Sequence, residues 1–223
     1  MTAPLDRPFP SQKPVPTGDL AAILDDLWAR LEEGAARAKP AFHLPTLCTV
    51  RPTEGEGGNE PSARVVVLRY AERIAGPHGA GTVGCHTDVR SPKAADVRAN
   101  PRAAWVFYDH EARLQVRLTG ATRLLTAGPE FDAAWEATTP SARRCYLAPY
   151  VPGTPTERPE PNMPATVRQR DPTADESAPG RANFALLRTD ADRIEWLFLR
   201  HDGHQRALFT QDDGAWRGTW VAV

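Results

Sequence analysis

The chain has 223 residues, with 27 Lys and Arg against 28 Asp and Glu and a formal net charge of −1. That balance argues against nucleic acid or an anionic membrane as the main partner, because both are held by surplus positive charge. Charged residues at 25% and hydrophobic ones at 41% are ordinary for a globular protein that builds its own core. No stretch approaches the ~20 apolar residues of a membrane span. The N-terminal MTAPLDRPFPSQKPVP lacks the apolar run of a signal peptide, so the cytoplasm is the expected compartment. Cys48, Cys85 and Cys145 are too few and too scattered for a disulfide framework or a zinc motif.

The chain holds 22 prolines, and they are unevenly placed. Residues 1–16 are Pro-rich with few large apolar groups and read as a flexible lead-in. A helix follows, because Leu20, Ile23, Leu24, Leu27, Trp28 and Leu31 form one apolar stripe at helical spacing. Thr17 or Asp19 can cap its start, and Gly34 or Pro40 marks its end. From about residue 42 the period changes to that of strands. FHLPTLCTV, ARVVVLRY, GTVGCHT, AAWVFYD and LQVRLTGATRLL are short β-branched and aromatic runs between turns. SPKAADVRAN reads as a short helix with Ser91 as N-cap, Pro92 at the first position and Asn100-Pro101 as the stop. PEFDAAWEATT and SARRCYLA read as two more helices. Residues 149–181, rich in Pro, Glu, Thr and Ser, read as a long surface loop or lid. Strands resume with NFALLRT, RIEWLFLR, QRALFT and AWRGTWVAV. The expectation is one mainly β domain over 17–223, with flanking helices and a barrel-like sheet.

The chemistry concentrates in residues 62–117. Arg64 and Arg69 flank an apolar strand at an odd spacing, so both reach one ligand only if the strand bends. Thr87, Arg90, Ser91 and Lys93 cluster at a helix start, where free N–H groups and the helix dipole suit a phosphate. Gln115 can donate to and accept from a polar heteroaromatic edge. A capped surface helix with solvated charges explains Ser91 and Pro92 equally well without a ligand.

The order R-x-V-V-L-R, H-T-D-x-R-S-x-K, N-P-R and Q-V-R-x-x-G resembles the pyridoxamine 5′-phosphate oxidase-like family of FMN-binding split barrels. It is more similar to that family's broader branch, with a T-D-x-R-S-x-K signature, than to the vitamin B6 oxidase itself. The resemblance implies an FMN-dependent oxidoreductase acting on a small molecule as a homodimer. It places Arg64, Ser91 and Lys93 on the FMN phosphate and the backbone of Val65, Val66, Val67 and Leu68 along the flavin ring. Arg69 stands where the oxidase has Lys, and His86-Thr87 match a Tyr-Thr pair beside the cofactor. Gln115 matches a Gln that reaches FMN from the partner subunit. Trp196 or Leu197 sits where the oxidase has a flavin-contacting Trp, and Arg206 matches its late Arg. Pro92 replaces a phosphate-binding Arg, for which Arg90 is positioned to compensate.

Where the oxidase reads R-x-H-D-R, this chain reads Asp202-Gly203-His204-Gln205-Arg206, and an acidic residue in place of the first Arg should repel a substrate phosphate. No acid, base or nucleophile is assigned; His204 is the best proton-handling candidate. The alternative is a non-catalytic split barrel that carries flavin, haem or deazaflavin. Gly79-Ala80-Gly81-Thr82-Val83-Gly84 spells G-x-G-x-x-G, but Pro77 precedes it and a strand follows, so it reads as a hairpin loop and not a dinucleotide site. His201 and His204 lack a third ligand at metal spacing, so no metal is expected.

Overall fold

The computed structural model describes residues 14–53, 58–73 and 81–223. Most of the expected N-terminal lead-in therefore lies outside the described residues, though Val15 already packs against the core. Helix α1 (Leu20–Ala36) begins at Asp19, whose carboxylate accepts from the N–H groups of Ala21 and Ala22. Its stripe of Ile23, Leu24, Leu27, Trp28 and Leu31 is buried. Gly34 lies inside the helix and does not end it: a Cβ there would come within 2.9 Å of the Phe42 backbone.

Among the described residues nine strands follow, all paired antiparallel: β1 (Thr46–Pro52), β2 (Asn59–Val65), β3 (Tyr70–Arg73), β4 (Gly81–Asp88), β5 (Arg102–Asp109), β6 (Leu114–Leu125), β7 (Phe184–Phe198), β8 (Gln205–Asp212) and β9 (Ala215–Trp220). They run in the order β2-β1-β5-β6-β7-β4-β3, with β8 also on β7 and β9 on β8. Between them lie α2 (Pro92–Ala99), α3 (Pro129–Ala137), α4 (Pro140–Arg143) and α5 (Ala174–Ser177). The 149–181 segment is mostly exposed and carries only short helical turns.

Two strand readings need correction. NFALLRT and RIEWLFLR are one 15-residue strand, β7. Its first part, Phe184–Ala191, pairs with β4 and its last part, Arg193–Phe198, with β8, while β6 runs along its other side. A bulge at Asp192 bends so long a pair and increases its local twist, and the register shifts there between Thr119 and Gly120. Gly120 makes the close approach possible, since a Cβ would lie 1.9 Å from the Asp190 carbonyl oxygen. ARVVVLRY, conversely, is not one strand. β2 ends at Val65, and β3 starts at Tyr70. In between, the Val66 and Leu68 N–H groups donate to Pro45 and His43, while the Arg69 N–H donates to Gly84. Those four residues join the two ends of the sheet path and close the barrel.

The interior is apolar and aromatic. Trp105, Phe107, Leu114, Val116, Leu118, Ile194, Trp196 and Phe209 meet the α1 stripe in one cluster. A second, smaller cluster of Phe131, Trp135, Tyr146, Phe184 and Leu186 holds α3 against the outside of β7. Each large side chain so buried contributes about 1.5–3 kcal/mol, which makes α1 a structural wall of the barrel. Among the described residues, no helix is long and apolar enough to cross a membrane.

Candidate functional site

The bend after β2 and the outer cluster under α3 frame an open cavity of about 900 Å³. Arg64, Val65, Val66, Val67 and Arg69 enter it from the bend, His86 from β4, Lys93 from α2, and Arg188 from β7. The break in the strand is what lets Arg64 and Arg69 share it, the condition their odd spacing imposed. α3 and the turns after it supply the other wall, including Glu130, Thr138 and Tyr146.

At one end stands a cluster of hydroxyls and cations. Ser91 is the N-cap of α2 by position, but its side chain makes no capping bond. Its hydroxyl, 1% exposed as a residue, lies 3.0 Å from the Thr87 hydroxyl, which in turn accepts from Lys93 Nζ at 3.2 Å. The capped-helix explanation of Ser91 therefore fails, because the side chain is turned toward Thr87. Burial lowers the pKa of Lys93, with repulsion from Arg64 working the same way. Arg64 donates to Thr49 Oγ1 (2.7 Å), Ser62 and the Leu47 carbonyl, and pairs with Asp96 at 3.5 Å. Asp96, 2% exposed, also takes Thr49 and Arg51, so it anchors the base of Arg64 from α2.

At the other end Arg69 is exposed, and its guanidinium makes no hydrogen bond or ion pair among the described residues. Arg188 is 5% exposed, with its guanidinium 3.8 Å from the Tyr70 ring centroid and Nε 3.4 Å from Glu130. Tyr70, Gly84 and Arg188 are neighbours in one cross-strand row. Gly84 leaves the space through which Arg188 reaches Tyr70: a Cβ there would lie 2.5 Å from Nη1. Burial, followed by the charges of Arg69 and Arg188, lowers the pKa of His86 to about 4, so its ring is neutral at pH 7.

This chain is similar to known proteins over most of its length. Residues 25–126 match the family described as "Pyridoxamine 5'-phosphate oxidase, FMN-binding domain". The pyridoxine/pyridoxamine 5'-phosphate oxidase of Myxococcus xanthus (strain DK1622) is 30% identical over 194 residues, covering 84% of this chain and 87% of that one. The chain belongs to the pyridoxamine 5′-phosphate oxidase family. The enzyme of that name from Gluconobacter oxydans is 26% identical, over 92% of this chain and 96% of its own. Among solved structures, a pyridoxamine 5'-phosphate oxidase-related, FMN binding protein from Nostoc punctiforme superposes with a TM-score of 0.64 at 22% identity, covering 89% of this chain and 96% of that one. PhzG from Burkholderia lata, solved with tetrahydrophenazine-1-carboxylic acid, gives 0.59 at 17% identity, over 89% and 90%. These likenesses show the fold, the family's FMN-binding split barrel.

FMN is the cofactor of this family domain. The residues here fit its phosphate: Lys93 and Arg64 line the cavity, and the buried Thr87 and Ser91 hydroxyls stand behind Lys93, the latter with no competing capping role. Several sequence expectations are corrected. Arg90 does not compensate for Pro92; it forks onto Asp88 (3.0 and 2.6 Å) and donates to the Ala148 carbonyl. Trp196, at 1% exposure, is buried in the core and does not line the cavity. Leu197 and Arg206 also lie outside its lining; Gln115, expected to reach the cofactor of a partner subunit, lies beside them across β6, β7 and β8. His204 sits in the β7–β8 turn, where its Nδ1 accepts from the Arg200 N–H, and lines a separate, smaller cavity. Asp202 is held by a fork from Arg200, so its charge is already matched. Gly81–Gly84 form part of β4 with no helix opening among them, and the rest of the G-x-G-x-x-G run lies outside the described residues.

Sequence reasoning missed Tyr70, Glu130 and Arg188. One signal was present: an Arg inside the apolar run ALLRT is costly unless something receives it.

Proposed function

We propose that the protein is a cytoplasmic, homodimeric, FMN-dependent oxidoreductase acting on a small molecule. The observation that carries this reading is that Lys93 and Arg64 line a cavity large enough for a cofactor and a second ligand, with the buried hydroxyls of Thr87 and Ser91 behind Lys93. In this reading Lys93 and Arg64 hold the phosphate, and Thr87, with Ser91 behind it, orients Lys93 by its hydrogen bond. Val65 to Leu68 offer their backbone to the ring, and Arg69 stands at its far side. The bound flavin supplies two-electron or hydride transfer, while the chain supplies position and charge. Neutral His86 gives a polar contact without adding a further cation.

The row Gln115, Leu197 and Arg206 is directed away from its own chain's cavity, and a second copy presenting that row completes the site. Sedimentation of the purified protein should therefore report a dimer. Oxidation of pyridoxamine phosphate is not part of the proposal: Asp202, its charge matched by Arg200, does not repel a phosphate but supplies no cation where the B6 oxidase's substrate segment has an Arg. Oxygen uptake with that compound should stay near background.

The deciding experiment is the visible spectrum of the purified protein, with the released chromophore identified by mass. A flavin spectrum with the mass of FMN supports the reading. Bound haem or deazaflavin would replace its chemistry, and a colourless protein that refuses FMN would refute it. Non-catalytic flavin carriage is the second reading. It is favoured by cavity groups that titrate far from neutrality, His86 at about 4 and Tyr70, raised by burial and its bond to Glu72, at about 12. Bound FMN that reductants and candidate substrates fail to cycle would select it.

A further inference from the structure

The cations of the cavity outnumber what a cofactor phosphate requires. Arg64 and Lys93 face the phosphate end, and Arg64 already shares its charge with Asp96. Arg69 and Arg188 remain at the other end, opposed among the described lining residues by Glu130 alone. A buried guanidinium normally spends every N–H. Here Nη1 of Arg188 is buried and has no hydrogen-bond partner, although Nε reaches Glu130. The arrangement around it is built: Tyr70 stacks on the guanidinium, and Gly84 leaves room for it. An orphaned donor of this kind destabilises the protein until an acceptor arrives.

On the reading that FMN occupies the phosphate end, we propose that the Arg69–Arg188 end binds the carboxylate of an anionic substrate and that Arg188 is a specificity-determining residue for it. The charge count selects a carboxylate over a phosphate ester. Two guanidinium groups against one carboxylate leave a single positive charge, which matches a monoanion and leaves a dianion exposed to Glu130. The donors agree. Phosphate sites gather hydroxyls and helix N–H groups, as the Ser91 end does. At the Arg188 end the Tyr70 hydroxyl is given to Glu72 and the Thr138 hydroxyl to the Ala134 carbonyl. What remains on offer is guanidinium, whose planar fork fits a planar carboxylate.

The test uses the FMN-loaded protein at pH 7.5, with benzoate and phenyl phosphate as probes of equal ring and different charge, read by the shift of the flavin absorption band. Benzoate is expected to bind saturably and at least tenfold tighter than phenyl phosphate. Arg188→Gln should weaken benzoate tenfold or more while FMN affinity stays within threefold. Glu130→Gln, on an exposed part of α3, should bring phenyl phosphate to within threefold of benzoate; this variant decides the matter if Arg188→Gln does not fold. Phenyl phosphate binding as tightly as benzoate, no binding of either probe, or unchanged benzoate binding in Arg188→Gln would each overturn the proposal. So would FMN affinity falling in step with benzoate, since the guanidinium would then belong to the cofactor. A protein that takes no FMN refutes the cofactor reading instead, and calorimetry of benzoate and phenyl phosphate with that protein then reads the carboxylate site by itself.

Discussion

Replacing Lys93 by Met separates a ligand-binding cation from a structural one, because the two roles predict effects of opposite sign. Among the described residues Lys93 Nζ makes one hydrogen bond, to Thr87 at 3.2 Å, and burial disfavours its charge. Removing a half-buried ammonium that little compensates should leave the ligand-free protein as stable as before, or raise its stability by up to about 1 kcal/mol. The same substitution removes a charge-assisted bond to the FMN phosphate, worth about 1.5–3 kcal/mol, so the FMN dissociation constant should rise roughly 10- to 150-fold. Riboflavin, which has the ring but no phosphate, is the control. Titration by quenching of flavin fluorescence should show FMN weakened in Lys93→Met and riboflavin unchanged. Equal loss for both ligands, or unchanged FMN affinity with a less stable protein, would refute the phosphate assignment. Arg64 is a poorer probe, since it also neutralises buried Asp96 and its removal disturbs the fold as well as the site.

Two further outcomes test the frame around the site. His86 is neutral in the folded chain down to about pH 4 but takes a proton near 6.5 when unfolded. The unfolded state thus binds more protons in that window, and ligand-free stability falls as pH drops from about 6.5 to 4 by on the order of 3 kcal/mol from this group. Denaturant unfolding of His86→Gln should show a correspondingly shallower pH slope; an identical slope would remove His86 as the cause. Gly120→Ala places a Cβ 1.9 Å from the Asp190 carbonyl oxygen, so the β6–β7 bulge must move, at a cost of about 3 kcal/mol measured by chemical denaturation. A loss below about 0.5 kcal/mol would show that the bulge is not closely packed.

Local chemistry made part of the site legible before any coordinates. Thr87, Ser91 and Lys93 lie within seven residues of chain, so a strand end and one helical turn are enough to gather them. The apolar stripe of α1 and the alternation of β6 likewise announce which face is buried, because those periods are properties of the backbone. Residue type alone misled where one side chain had two possible partners. Ser91 stands where a cap should be and does not cap, and Arg90 looks like a phosphate ligand and is spent on Asp88. Trp196 looks like a stacking residue and is core.

The sequence by itself determined the class of the fold, which is written in periodicity, and its ordered motifs carried the resemblance to the family and placed Thr87, Ser91 and Lys93 within one short stretch. The tertiary structure alone decided where the strand after Arg64 breaks and therefore that Arg64 and Arg69 share a cavity. It also decided that NFALLRT and RIEWLFLR are one strand serving two edges. Finally, it brought Arg188 beside Tyr70 and Glu130, partners 118 and 58 residues away in the chain. Such neighbours are chosen by sheet register and by a glycine's missing side chain, which no local pattern encodes.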